Sequence, residues 1–304
     1  MNDVARLITF RKRQDRAFQV VGGLCTLIGV VTLVALLVKL AIDGFPLLAR
    51  AGTFLLSNAS YDPADAGILM AWVGSLCVMV VTFLTAVPLG VAAAVYLEEY
   101  ARRNWVTDLI EVNISNLAGV PSITYGLMAL WLFTYLLGLS SSILVGGLTL
   151  SLLILPIIIV ATREALRSIP NAIREAAYAS GATKWQTIWY HMLPYSLGGI
   201  ATGTIIAMSR AVGETAPLIV IGAAGWVSNL PPPPLTSRFP YLNGAWLHSD
   251  FTVLPVQMFT WTADPDPAFQ ANAAAAGLVL IAFTLTMNAV AIVVRYRVRQ
   301  RIKW

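Results

Sequence analysis

The sequence predicts an all-α integral membrane protein with six transmembrane helices and both termini on the cytoplasmic face. Three observations predict it. Of 304 residues, 58% are hydrophobic and only 12% charged, about half the charge of a soluble domain, and the mean hydropathy is +0.74. Six apolar runs approach or exceed the roughly 20 residues that a bilayer crossing needs: Phe18–Ala41, Gly67–Tyr96, Leu109–Leu139, Ser142–Ala161, Ser196–Ala223 and Asn272–Val294. Basic residues, finally, cluster at alternate ends of these runs.

Those charges fix the orientation. Arg6, Arg11, Lys12, Arg13 and Arg16 precede the first run, and Arg295, Arg297, Arg299, Arg301 and Lys303 follow the last. Arg102 and Arg103 separate the second and third runs, and Arg163, Arg167, Arg174 and Lys184 the fourth and fifth. With six crossings, these sixteen of the twenty basic residues share one side, while Lys39, Arg50 and Arg238 fall on the other. Basic flanks mark the cytoplasmic side. The net charge of +5 is therefore a topology signal and does not point to nucleic acid.

The first run is too long for the core of a secretion signal and lacks a small-residue cleavage site close behind it, so it reads as an uncleaved helix. Cys25 and Cys77 lie inside runs and read as packing residues. Glu98 and Glu99 end the second run beside Arg102 and Arg103, which suggests a solvated, self-compensating cluster. Pro88, Pro121, Pro156 and Pro217 interrupt the second to fifth runs. Such breaks survive in a bilayer where neighbouring helices or water satisfy the freed carbonyls, an arrangement suited to a transporter. Ser140–Ser142 closes a tight outer hairpin. Small residues at Gly198, Gly199, Ala201 and Gly203, and along Ala271–Gly277, allow close helix approach. The long outer segment 222–270 contains four successive prolines, Pro231 to Pro234, then an aromatic stretch through Phe259 and Trp261. It is open to three placements: at the outer interface, dipping back, or against a soluble partner. Amphipathic aromatics favour the interface.

The segment between the fourth and fifth runs is polar. Pro170 suits a helix start, Gly181 suits the left-handed residue that ends a helix, and Thr183 with Gln186 fits a capping box. Two short helices at a sharp angle follow, a knob on the cytoplasmic side. Ala176, Ala177, Ala179 and Ala182 give it low relief, and Trp185, Ile188, Trp189 and Tyr190 an apolar face that pays only if something docks there. Glu175-Ala176-Ala177, Gly181 and Leu193-Pro194 resemble the "EAA" loop of ABC importer permeases. The resemblance implies a MetI-like permease core and makes Arg174, Glu175, Ala176, Ala177, Gly181, Ala182 and Trp185 candidates for coupling to a cytoplasmic ATPase.

Arg210 and Glu214 place opposite charges one helical turn apart in the fifth run. Each costs about 2.5–3.5 kcal/mol at mid-bilayer on insertion scales. The guanidinium offers a planar fork for an oxyanion and keeps its proton, Glu214 can hold it between substrates, and Pro217 leaves the Gly213 carbonyl without its helical donor. The pair reads either as an anion path, with Thr215 beside it, or as a structural ion pair. Arg210-Ala-Val-Gly-Glu-Thr-Ala-Pro217, with Pro88–Tyr100, Asn116–Gly126, Leu254–Phe259 and Ala273–Gly277, resembles PstA-type permeases of the phosphate importer over roughly Gly67 to Val294. The proline-rich stretch Pro231–Asp250 departs from that pattern and leaves the outer docking surface open.

The resemblance implies a PstC-type permease partner, a PstB-type ATPase dimer and a PstS-type phosphate-binding protein. ATP and Mg belong on the ATPase, since this chain has no G-x-x-x-x-G-K-[ST] loop and no cofactor of its own is expected. His191 and His248 have no ligand-spaced companions, so no metal site is expected, and with no nucleophile-and-base set the chain reads as a transport subunit. The rival readings are a sulfate, molybdate or tungstate permease and, from another class, an intramembrane phosphate sensor or enzyme. The expected organisation is residues 1–66 (tail, first helix, outer loop), a core at 67–296 containing coupling loop 163–193 and outer loop 222–270, and a basic tail at 297–304.

Overall fold

The computed structural model describes residues 2–49, 51–102, 104–223, 225–234 and 243–301. Arg50, Arg103, Arg238 and Lys303, and residues 235–242 of the proline-rich stretch, lie outside the described residues. The described residues form helices and connecting loops, with no strand among them.

Among the described residues, four helices are long and apolar enough to cross a membrane, or five if one bent pair counts as a single crossing. Helix α1 (Asn2–Leu48) carries the first run and continues well beyond it at both ends. Helix α2 (Leu69–Val95) passes through Pro88 unbroken and ends in a π-helical turn, Tyr96–Tyr100. The third run is not one straight span: α3 (Trp105–Leu117) and α4 (Ser122–Ala129, prolonged by a π-helical stretch to Leu136) meet at 108°. Pro121 causes this, because it cannot donate into α3 and biases its predecessor away from helical backbone. Helix α5 (Ile143–Arg167) starts at Ser142, whose side chain accepts from the Val145 amide, and keeps Pro156 within it. Two of the four expected proline breaks therefore do not occur. α2 and α5 lie against each other along their length, and that packing carries both helices across Pro88 and Pro156.

Beyond α5 come the knob helices α6 (Asn171–Ala179) and α7 (Lys184–Thr187), then a π-helical turn, Ile188–Met192, that runs into α8 (Leu193–Val212). α8 stops short of Pro217, and α9 (Ala216–Val220) follows after a three-residue break. The fifth run is thus two helices. α10 (Leu254–Thr262) and α11 (Phe269–Arg301) complete the chain.

The core lies around α5, which packs on α2 and α8, while α11 packs on α8, α10 and the C-terminal end of α1. Small residues set the register of α5 and α8: a Cβ on Gly199 would sit 2.5 Å from the Ala165 methyl, and one on Gly203 2.2 Å from that of Ala161. The expected close approach occurs there and again where α1 meets Ala274 and Ala275 at Gly44. Most of the aromatic segment packs into the bundle, while Phe259 stays exposed. Phe251, Thr252, Val253, Leu254, Val256 and Trp261 are buried, and Ser75 of α2 accepts the Leu254 amide at 2.9 Å. The segment folds back because α10 offers an apolar face that α2 and α11 cover, and Ser75 satisfies one of its free N-terminal donors.

Candidate coupling knob and anion-path site

The knob follows from local sequence. α6 ends at Gly181, with φ of +84°, where the Gly181 amide reaches the Tyr178 carbonyl and the Ala182 amide the Ala177 carbonyl. This is the Schellman closure that favours glycine. Thr183 then caps α7 reciprocally with Gln186: the Gln186 amide donates to Thr183 Oγ1 at 3.3 Å, and the Thr183 amide to Gln186 Oε1 at 2.8 Å. Both elements were expected.

Glu175, Ala176, Gly181 and Trp185 are exposed and Ala182 half-buried. Trp185 stacks on Trp189 at 5.5 Å, and Tyr178, Trp189 and Tyr190 are also exposed. Ala177 and Ile188 are instead buried, so neither belongs to the outer face; Ile188 joins Val95, Leu166, Ile169 and Met192 in a small core beneath the knob. Arg174 also turns inward. Its guanidinium donates to Glu99 Oε1 (2.8 Å), Asn171 Oδ1 (3.1 Å), Met192 Sδ (3.1 Å) and the Leu166 carbonyl (3.5 Å). One side chain of α6 thereby touches the ends of α2, α5 and the turn leading into α8.

The expected solvated pairing of Glu98 and Glu99 with Arg102 and Arg103 is overturned. The side chains of Glu98 and Glu99 are 9% and 7% exposed. Glu98 pairs with Arg163 (3.4 Å) and Arg167 (2.9 Å), and Glu111 of α3 pairs with the same two arginines. Arg163 is itself buried. Buried charges need partners, and two arginines one turn apart on α5 supply them. The missed signal was that spacing: Arg163 and Arg167 interrupt the end of an apolar helix, as Glu111 interrupts α3.

At the other site, Arg210 Nε lies 3.4 Å from Glu214 Oε1, and Nη1 lies 3.4 Å from the Ala118 carbonyl oxygen. Glu214 sits in the break between α8 and α9, with Thr215, whose carbonyl accepts the amides of Leu218 and Ile219 and starts α9. Ala118 caps α3 at the other break, so the two interruptions meet at the guanidinium. The register of α8 on α5, continued four residues for four from Gly203 and Ala161, sets Arg210 level with about Ile154, near the middle of α5. The Arg210 side chain is 38% exposed in the single chain, and that of Glu214 19%. Ser209 bonds Asn288 of α11 at 2.7 Å, a contact not anticipated.

A helical membrane bundle with broken helices, an inward-tied polar knob and a charged pair at its broken centre has the construction of a membrane permease. The chain belongs to the family described as binding-protein-dependent transport system inner membrane component, whose profile matches residues 86–304. It is 34% identical over 209 residues to the probable ABC transporter permease protein YqgI of Bacillus subtilis, covering 69% of this chain and 70% of that one. It is 33% identical over 245 residues to the phosphate transport system permease protein PstA 1 of Mycobacterium tuberculosis (79% and 75% covered). With PstA of Mycobacterium leprae it shares 38% identity over 200 residues, 64% of each chain. Among solved structures, the inward-facing MetNI methionine ABC transporter superimposes with a TM-score of 0.56 at 17% identity, over 74% of this chain and 94% of that one. The fold is thus a MetI-like permease fold.

Proposed function

We propose that this chain is a permease subunit of an ATP-driven importer of inorganic phosphate in the cytoplasmic membrane. The observation that carries the reading is the Arg210–Glu214 pair, level with the middle of α5 where two helix breaks converge and partly exposed in the single chain. Relatives named for phosphate transport support the choice of cargo. Counting α3–α4 and α8–α9 as one crossing each gives six, which puts both termini and the knob in the cytoplasm, in keeping with the basic flanks.

Phosphate carries one or two negative charges near neutral pH, so a path without a cation would present a large barrier. Arg210 can bind two of its oxygens through parallel N–H donors, and Glu214 competes for the same guanidinium. That competition keeps the anion from being held too long. The 3.4 Å spacings of Arg210 to Glu214 and Ala118 leave its donors loosely engaged. The exposed side of the pair would face a PstC-type permease, closing the path between two subunits. A PstS-type protein delivers the anion outside. A PstB-type ATPase dimer holds ATP and Mg inside and grips the knob through Glu175, Ala176, Gly181, Ala182 and Trp185, while Arg174 and Ala177 anchor the knob from within.

The test is uptake of radiolabelled phosphate into proteoliposomes holding the assembled complex, with sulfate, molybdate and tungstate as competitors. Arg210→Gln is expected to abolish uptake while the complex still assembles. Normal uptake in that variant assigns the pair to structure. Uptake blocked by molybdate or sulfate more strongly than by phosphate reassigns the cargo.

A further inference from the structure

Helix α3 has no buried residue among its thirteen in the single chain. Trp105, Val106, Leu109, Ile110, Val112 and Leu117 are all exposed. Its fixed points are few and polar. At mid-length Glu111 reaches Arg163 and Arg167 of α5, and at its end the Leu117 carbonyl accepts the Tyr125 hydroxyl at 2.7 Å. One residue further, the Ala118 carbonyl accepts from Arg210.

The same two arginines hold Glu98, whose neighbour Glu99 holds Arg174 of the knob. Lys184 of α7 lies over the Tyr100 ring, 5.0 Å from its centroid, at the end of the same π-helical turn. A contiguous line of contacts therefore runs from the knob through the Tyr96–Tyr100 turn and the arginines of α5 to Glu111, then along two turns of α3 to the carbonyl that touches Arg210. Seven residues of helix from Glu111 to Ala118 span about 10 Å and, being hydrogen-bonded, move as one body.

We infer that α3 is a lever that carries displacement of the coupling knob to Arg210, with Glu111 as the positioning residue by which α5 grips it. The inference rests on the proposed transport function. It assigns to Glu111, Arg163 and Arg167 a role in setting when the Ala118 carbonyl holds the guanidinium and when it releases it to the anion. Coupling carried by packed and ion-paired elements needs two arrangements that both sites bias. A helix pinned by one carboxylate and two terminal carbonyls, with no side chain buried in the single chain, can change position without breaking a core.

The experiment uses the assembled complex in proteoliposomes, with Cys25 and Cys77 replaced and spin labels at the exposed positions Val112 on α3 and Leu84 on α2. A second pair, at the exposed Ala172 on the knob and Leu84, reports the input. In the unsubstituted complex both distances should change between the nucleotide-free and ATP-trapped states. In Glu111→Gln the knob distance should still change, the α3 distance should not, and phosphate moved per ATP should fall between about two- and thirty-fold, the range of a coupling residue remote from both sites. Glu111→Asp, which keeps the charge, should recover part of both. An α3 distance that still changes in Glu111→Gln, or unchanged phosphate per ATP, overturns the lever. If Glu111→Gln does not assemble, Arg167→Gln, at a side chain 44% exposed, decides by the same two readouts. An unsubstituted complex that moves no phosphate yet shifts α3 on ATP trapping overturns the cargo and leaves the lever standing.

Discussion

Gly181 gives the sharpest test of the knob, because within this chain its substitution acts through backbone strain, and a series in which Asn is larger than Ala separates that strain from bulk at the docking face. Its φ of +84° is one that side chains with a Cβ rarely adopt, and a Cβ built there meets nothing of this chain within 4 Å, so packing within the chain contributes nothing. Left-handed backbone costs about 1–2 kcal/mol for an ordinary L-residue, less for Asn, and up to about 3 kcal/mol for a β-branched one held in so sparse a region. Against this stand the two closing bonds, Gly181 N–H to Tyr178 O at 2.9 Å and Ala182 N–H to Ala177 O at 3.0 Å, each contributing about 0.5–1.5 kcal/mol net. The margin is therefore about 1–3 kcal/mol. Asn should leave the last turn of α6 closed, Ala should bring it near balance, and Val should open it. Measured as phosphate moved per ATP in proteoliposomes, the order should be Gly ≈ Asn > Ala > Val, with Val reduced about tenfold or more and all four complexes assembled. Equal coupling in Gly181→Val, or Gly181→Asn as poor as Gly181→Val, refutes the argument from backbone conformation.

Two further outcomes follow from the geometry. Arg163→Gln, which leaves the buried Glu98 and the partly exposed Glu111 against one positive charge fewer, should destabilise the chain by about 3–5 kcal/mol, whereas Arg102→Gln, at an exposed side chain, should fall within about 0.5 kcal/mol of the parent; thermal unfolding in detergent separates them, and equal effects would restore the solvated cluster. Glu214→Gln frees Arg210 of its counter-charge, so phosphate should be retained longer and turnover fall several-fold at saturating phosphate. Single-turnover uptake and release distinguish this from loss of binding, which would count against the competition proposed for the pair.

What the sequence disclosed of the fold and the sites was local. Pro170, Gly181, Thr183 and Gln186 each act on backbone within a few residues, so the knob was legible in outline and in its caps. Arg210 and Glu214 stood out because isolated charge in an apolar run is costly. The ion-pair cage was not legible: Glu98 and Glu99 find their arginines 69 and 75 residues away, while Arg102 and Arg103 lie next door and invite the wrong pairing. Pro121 and Pro217 announced breaks, as did Pro88 and Pro156, yet only tertiary packing decides which prolines a helix can carry. The burial of Phe251 and Trp261 was not legible for a related reason, since Phe and Trp suit an interface and a core equally until the covering helix is known.

The two charged sites differ in the way their proposed tasks require. Near the knob, three carboxylates and three arginines are paired within a cage whose key members are almost wholly buried. Such pairs add little net stability over apolar packing, but removing one partner is severe, so the cage holds the helix ends in one register. At Arg210 the contacts are long, the side chain is partly exposed and two helices are interrupted beside it. A tight arrangement there would trap an anion or exclude it. The bundle is therefore held firmly where force would enter and weakly where the cargo would pass. α3 joins the two regions, pinned by a carboxylate at mid-length and by the Leu117 and Ala118 carbonyls at its end, and a helix held at so few points can move between them while the packed core of α2, α5 and α8 stays in place.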